Sequence, residues 1–310
     1  MSLRNLAGLE SETVIGLPSA FRAFDLQEFI DQPFPPREQL LPPWLPVKGL
    51  AMVFAPRGVG KTFFSLNVGY AIASGGSFLK WTAGRPRKVI LLDGEMTGAQ
   101  LQERLSAIID SSSAEPQPGF FRLIPFDTFV DGVTPDLSTD EGQRLIEPHL
   151  KDAELVIVDN LSTLCRSGKE NEAESWGGIQ HWALEQRKKG RSVLFVHHAG
   201  KGGEQRGTSR REDVLDTVIR LANPEDYEPS DGARFVVSFT KSRGFHGEQA
   251  EAFEARLTDG IWSCVESKDI LEAQIRALFA EEGMTVRKAA DELGISKSKV
   301  QRVKQKMEGL

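Results

Sequence analysis

The stretch that decides the fold is VFAPRGVGKTFF, residues 53–64. A phosphate-binding loop is spelled Gly, four residues, then Gly-Lys-Ser/Thr. Here Pro56, Arg57, Gly58 and Val59 lead into Gly60, Lys61 and Thr62, but Ala55 stands where the first glycine belongs. Such a loop needs inward-pointing backbone N–H groups, little side-chain bulk, and a helix N-terminus whose dipole favours an anion. Gly58 and Gly60 supply the bare backbone, Lys61 a charge for the outer phosphates and Thr62 a hydroxyl for Mg2+, with Phe63 entering the helix. A methyl at Ala55 is costly only at positive φ, and that residue ends an apolar run in which the chain is extended. The loop is therefore expected to work, with Ala55 through Phe63 cradling ATP.

The context agrees. The loop follows LAMVFA (50–55) and precedes FFSLNVGYAIASG, an apolar segment suited to a buried helix. Further apolar runs, KVILLD (88–93), LVIVDN (155–160) and SVLFVHH (192–198), alternate with helical patterns, which predicts an α/β fold with a mostly parallel sheet. Thr97 with Gln100, and Ser138 with Glu141, read as capping boxes of two helices. The first carries Leu101, Leu105, Ile108 and Ile109 on one face; a third helix carries Trp176, Ile179, Trp182 and Ala183 and stops at Gly190. DTVIRL, ARFVVSFTKS, AFEARLTD and IWSCV, beyond residue 214, read as antiparallel strands because their connections are too short for crossover helices.

Two carboxylates end apolar strands close to where the loop must lie. Asp159 closes LVIVDN, a position from which it can hold Mg2+ directly or through water. The residue after it is Asn160, so a base that activates water has to come from elsewhere. LLDGEMT offers Glu95 just past a strand tip, with Asp93 as the rival or as a support for the loop.

Asp-Gly-Glu after the second strand, Asp159 after the central one and FVHHAGKGG after the next resemble the RecA-type ATPase core. More narrowly, they resemble the RepA-like ATPases of plasmids and phages, over residues 40–260. The resemblance implies that Glu95 is the catalytic base and that His197 or His198, His198 in preference, senses the γ-phosphate. It also implies a ring-forming homo-oligomer, a hexamer, acting on DNA during replication as a helicase. The Lys241-x-Arg243 pair of FTKSRGF looks like the trans-acting pair of RecA-type hexamers, which a neighbouring subunit supplies to developing phosphoryl charge. The departures are Ala55 and the unusual AGKGGEQRGTSRRED after His198.

Two loops, 162–175 and 201–211, are candidates to face the centre of such an assembly. The second carries Lys201, Arg206, Arg210 and Arg211, cations suited to the phosphates of single-stranded DNA. At the C-terminus, SKDILEAQIRALFAEEGMTVRKAADELGISKSKVQRVKQKM has helix-turn-helix spacing. Ile270, Ile275 and Leu278 point inward, Ala290 sits at the crossing, Gly294 makes the turn, Ser296 is the N-cap, and Val300 and Val303 pin the second helix. Lys297, Lys299, Arg302 and Lys306 fall on the face left for duplex DNA.

Charge supports the division. Residues 285–310 hold seven basic and three acidic side chains, a local +4, so a chain of net charge −6 leaves −10 on the remainder. The expected domains are a proline-rich arm (1–47), a RecA-like ATPase domain (48–266) and a helix-turn-helix domain (267–310). Cys165 and Cys264 are far apart with no CxxC, which excludes a zinc ribbon or disulfide scaffold. The N-terminus lacks a signal-peptide core and no run reaches membrane-span length, so a cytoplasmic location without membrane is expected. Two other functions remain open: a nucleotide-regulated DNA-binding ATPase without unwinding, and, more weakly, a small-molecule kinase.

Overall fold

A computed structural model of the chain describes residues 22–129, 134–166, 173–200, 212–280 and 284–307. It divides into a unit ending at Arg37 and a second running from Glu38 to the C-terminus. In the first, α1 (Leu26–Ile30) starts at a capping box between Asp25 and Glu28 and buries none of its residues. The Phe29 ring lies 6.1 Å from Phe24 and 5.2 Å from Phe34.

The second unit begins earlier than the proline content indicates. β1 (Gln39–Leu41) and β2 (Leu45–Pro46) pair as an antiparallel hairpin. Leu40, Leu41, Trp44 and Leu45 are at most 1% exposed. Trp44 packs 5.3 Å from Trp81, and its carbonyl accepts the Thr217 hydroxyl at 2.7 Å. Residues 38–47, read as the end of the arm, therefore belong with the core: the apolar residues between the prolines outweigh the donors that proline removes.

The central sheet of the described residues has the order β13-β12-β11-β10-β3-β9-β8-β6-β7. Its strands are β3 (Leu50–Ala55), β6 (Val89–Asp93), β7 (Phe121–Ile124), β8 (Leu155–Asp159), β9 (Ser192–His198), β10 (Thr217–Ala222), β11 (Arg234–Ser242), β12 (Phe253–Thr258) and β13 (Ile261–Glu266). Strands β10, β3, β9, β8, β6 and β7 are mutually parallel, and β11 to β13 continue antiparallel. A short pair, β4 (Ser77–Phe78) and β5 (Trp81–Thr82), stands apart. Two expectations change. Strand β10, taken as antiparallel, runs parallel to β3, while its pairing with β11 is antiparallel as expected. Strand β7 gave no clear apolar run, being only half-buried at the sheet edge.

Period-two alternation sorts each strand between two apolar layers. Ala51, Val53 and Ala55 of β3 face α2 (Lys61–Ser74) and α3 (Gly98–Ser111). Leu50, Met52 and Phe54 face α4 (Asp140–Ile146), α5 (Leu161–Leu164) and α6 (Ala173–Lys188). Helix α2 is buried nearly all round; a Cβ on its Gly69 would lie 2.9 Å from Phe121 and 3.0 Å from Ile157, so the helix lies close on the sheet. Helix α3 starts at the expected Thr97–Gln100 box, and α6 buries Trp176, Ile179, Trp182 and Ala183 as its stripe requires. The Ser138 cap is displaced by one residue. Asp136 takes the Ser138 amide and hydroxyl, and Thr139 caps α4 through the Gly142 amide at 3.1 Å.

Three helices close the chain: α7 (Ser267–Phe279), α8 (Val286–Glu292) and α9 (Lys297–Met307). They bury Ile275, Ala289, Ala290 and Val300 in a cluster of their own, with Leu271 rather than Ile270 packed against it. Gly294 takes φ 62° between α8 and α9, and the Ser296 carbonyl accepts the Lys299 amide at 3.0 Å. Among the described residues no helix is long and apolar enough to cross a membrane.

Asp216, just before β10, ties three elements together. Its carboxylate accepts the Leu50 amide at 3.0 Å and pairs with Arg187 of α6 at 2.5 Å. Asp216→Ala is expected to lower the unfolding free energy by about 3 kcal/mol, since a buried amide and a guanidinium lose their acceptor together; urea titration of the full chain measures it.

Candidate active site at the strand tips

The loop between β3 and α2 confirms that Ala55 fits. Ala55 is the last residue of β3, paired with His198, and its backbone is extended. The left-handed positions are Gly58 (φ 82°) and Gly60 (φ 108°), where glycine is needed. Lys61 opens α2, and its ammonium rests on the carbonyls of Ala55 (3.1 Å) and Pro56 (2.9 Å). Burial pushes this ammonium below the usual lysine range, opposed by the nearby Asp159 and Glu95 carboxylates.

Alternation places Asp93, Asp159 and His198 on the α2 side, since Leu91, Ile157 and Val196, two residues earlier, all pack in that layer. His197 falls on the α6 side. Asp159 accepts the Ser65 hydroxyl at 2.9 Å. Its carboxyl is pushed up to about 7, chiefly by complete burial and then by Asp93, against hydrogen bonds from Ser65 and Thr62.

Asp93 builds the turn. Its Oδ1 accepts the amides of Glu95 (2.9 Å) and Met96 (2.6 Å), and the Gly94 amide donates to the Asp159 carbonyl at 2.7 Å. A Cβ at Gly94 would meet Thr163 Oγ1 at 2.4 Å, so only glycine passes. Asp93 thus supports the segment that carries Glu95, not the phosphate loop. Glu95 itself projects outward, its side chain 52% exposed, accepting a hydrogen bond from Asn160 Nδ2 with His198 Nε2 3.7 Å away. Asn160 Nδ2 also lies 3.4 Å from His198 Nε2.

These groups border a cleft of about 410 Å3 lined by Arg57, Gly58, Gly60, Lys61, Thr62, Glu95, Met96, Gln100, Arg104 and His198. Asn160, Gln100 and Arg104 were not named as site residues from sequence, Gln100 being read only as part of a helix cap. Asn160 was read only as a missing glutamate; the i, i+4 spacing of Met96, Gln100 and Arg104 was the available signal for the other two. The donor set suits Mg2+. Among the described residues there is no cluster of three or more His, Cys, Asp or Glu fit to cage a metal, while Asp93 Oδ2 is buried with no hydrogen-bond partner. An ion that keeps most of its water and leans on phosphate oxygens needs only such a partial set.

Lys241 and Arg243 lie elsewhere. Lys241 is opposite Val218, which is beside Met52, and the Arg243 amide donates to the Asp216 carbonyl next to the start of β3. The level of Leu50 is five residues from Ala55, about 16 Å at ~3.3 Å per residue. The pair is therefore remote from its own chain's cleft. The Lys241 ammonium donates to the Glu212 carbonyl and, at 3.4 Å, to that of Asp213. Lys201, Arg206, Arg210 and Arg211 lie outside the described residues. On α9, Lys297, Lys299, Arg302 and Lys306 are all exposed, and Lys306 also pairs with Glu272 of α7 at 2.6 Å. Lys306 thus answers an acidic neighbour that the isolated helix pattern did not reveal.

A family model described as an AAA domain matches residues 18–204. The chain belongs to this AAA domain family. It is a P-loop ATPase with a RecA-like core. No curated protein matches it. Among solved structures, the AAA domain protein is similar to the KaiC-like protein PH0186 from the hyperthermophilic archaeon Pyrococcus horikoshii OT3. The TM-score is 0.53 at 16% identity, over 74% of this chain and 93% of that one, a likeness of fold alone.

The raised Asp159 carboxyl predicts a pH dependence of folding. Asp159 binds its proton more tightly folded (about 7) than at its ordinary value of 3.8, so folding is favoured below that ordinary value and the benefit is lost as pH rises to about 7. Asp159→Asn is expected to flatten this decline and to stabilise the nucleotide-free protein at pH 8. Thermal unfolding from pH 4 to 8 tests it; an unchanged slope in the variant refutes the assignment.

Proposed function

We propose that the protein is a ring-forming, Mg2+-dependent ATPase acting on DNA, a replicative helicase of the RepA-like kind. The observation that carries this reading is the convergence of Glu95, Asn160 and His198 at the mouth of the cleft floored by Lys61. ATP lies with its phosphates along residues 55–63. Glu95 accepts a proton from the attacking water, and Asn160 holds its carboxylate in place. His198, in reach of both, relays the presence of the terminal phosphate to the end of β9. Thr62 and Asp159 hold Mg2+, which when bound neutralises phosphate charge.

Lys241 and Arg243 serve the site of an adjacent subunit, a reading supported by their distance from their own cleft. Hydrolysis is then shared between chains, and a homo-hexamer is the expected assembly. The basic loop 201–211 contacts single-stranded DNA; α8 and α9 act as a helix-turn-helix on duplex DNA through Lys297, Lys299 and Arg302. A second reading, a nucleotide-regulated DNA-binding protein without unwinding, is favoured by the separate apolar cluster and basic surface of the last three helices.

Glu95→Gln is expected to keep ATP binding while turnover falls by at least about 10²-fold, followed by phosphate release. Arg243→Ala should lose turnover comparably, and size-exclusion mass should rise with ATP and single-stranded DNA. A monomer with full activity removes the shared site. Strand separation abolished by Lys61→Ala supports the motor; tight duplex binding without separation, lost on deleting 267–310, supports the regulator.

A further inference from the structure

Away from the ATP cleft, a cavity of about 190 Å3 opens between the C-terminal ends of α2 and α3 and the turn joining β12 to β13. It shares no lining residue with the cleft. Asn67, Tyr70 and Ser74, spaced three and four residues apart on one face of α2, form one wall, with Phe78 and Trp262 beside them. Asn67, Tyr70 and Phe78 are buried, whereas Ser77, Ser113 and Gly260 are exposed, so the floor is closed and the rim open. The volume is below the roughly 300 Å3 at which pockets for drug-sized molecules begin, so the occupant is small.

The polarity of this cavity has one sign. Helix α2 ends at Ser74 and α3 at Ser111, so the negative ends of two helix dipoles meet here, and neither helix has a basic residue in its last turn. The serine hydroxyls spend their hydrogens on the helices themselves: Ser74 on the Ala71 carbonyl (3.3 Å), Ser111 on that of Ala107 (2.9 Å) and Ser112 on that of Ile108 (2.6 Å). What they keep is lone pairs. Asn67, only 8% exposed, donates Nδ2 to the Phe63 carbonyl at 2.8 Å. That bond fixes the amide's orientation and leaves Oδ1 with no donor among the described residues. Burial, and after it the Glu115 carboxylate, push the Tyr70 phenol up, against the Ser112 hydroxyl. Among the described residues no lysine or arginine lines the cavity. Lys80, next in sequence to its Leu79, is held by Glu266 at 3.0 Å and lies over the Phe253 ring.

We propose that this cavity binds a small organic cation, a primary ammonium on a short alkyl chain, as in an aliphatic diamine. The ammonium donates its hydrogens to Asn67 Oδ1 and to the serine oxygens. The alkyl chain lies along the rings of Phe78 and Trp262, which meet edge to face at 5.5 Å and whose quadrupoles add to the attraction. Phosphates and other anions are repelled by the same field, so the cavity does not duplicate the nucleotide cleft. The site depends neither on hydrolysis at Glu95 nor on DNA.

The full-length protein, without nucleotide or DNA, is to be titrated calorimetrically at low salt with putrescine and with butanediol, its uncharged match. Saturable putrescine binding with Kd of about 1 mM or tighter is expected, and none of the diol. Ser113→Lys, a change on the exposed rim, is expected to weaken putrescine at least about fivefold, and Ser113→Glu to strengthen it. Trp262→Leu should weaken it about fivefold through the lost ring. Should that variant fail to fold, the two Ser113 variants still decide. No saturable putrescine binding, equal binding of the diol, or an affinity unchanged across the Ser113 pair, as attachment to the acidic surface at large would give, overturns the proposal.

Discussion

Everything chemical in this protein hangs from the Asp93 carboxylate and the two backbone amides it accepts. Those bonds bend the chain off the tip of β6, aim Glu95 over the phosphate loop and deliver the first turn of α3. The Gly94 amide fastens the same turn to the carbonyl of Asp159, so the tips of β6 and β8 cannot move independently. Burial resists a charged Asp93 and the two amides favour it. A glycine is obligatory at 94 because Thr163 occupies the space a side chain would need.

The electrostatics of the cleft are those of a receptor for a charged ligand. Lys61 is buried and rests on carbonyls of its own loop, and Asp159 is pushed toward neutrality. A polyphosphate would complement the cation and a divalent ion the carboxylate.

The sheet has two functional ends. Its C-terminal edge carries the nucleotide loop, while Lys241 and Arg243 sit at the level where β3 begins. Within one chain these ends cannot meet, and the parallel core between them is stiff because both faces are covered by apolar layers. The proposed sharing of the site between subunits would turn that separation into communication. Lys241, anchored on the carbonyls of Glu212 and Asp213, stands where such a signal would reach the basic segment that precedes them.

Much of this was legible in the sequence, because local rules govern it. Four parallel strands, the α2 loop, the Thr97 cap and the α6 stripe follow from periodicity and turn chemistry over short windows. Asp93, Asp159 and His198 share one face because Leu91, Ile157 and Val196, two residues earlier, pack in the α2 layer. Tertiary structure decided the rest. Whether Leu40 and Trp44 pack on the core or trail as an arm depends on Trp81 and Thr217, far along the chain. Strand β10 lies parallel beside β3, and Lys306 meets Glu272 of α7, pairings between segments far apart in sequence. Asn160, Gln100 and Arg104 are ordinary polar residues in sequence; they become a site only when three strand tips and one helix face converge. Spacing along a chain specifies which way a side chain points, but not what meets it there.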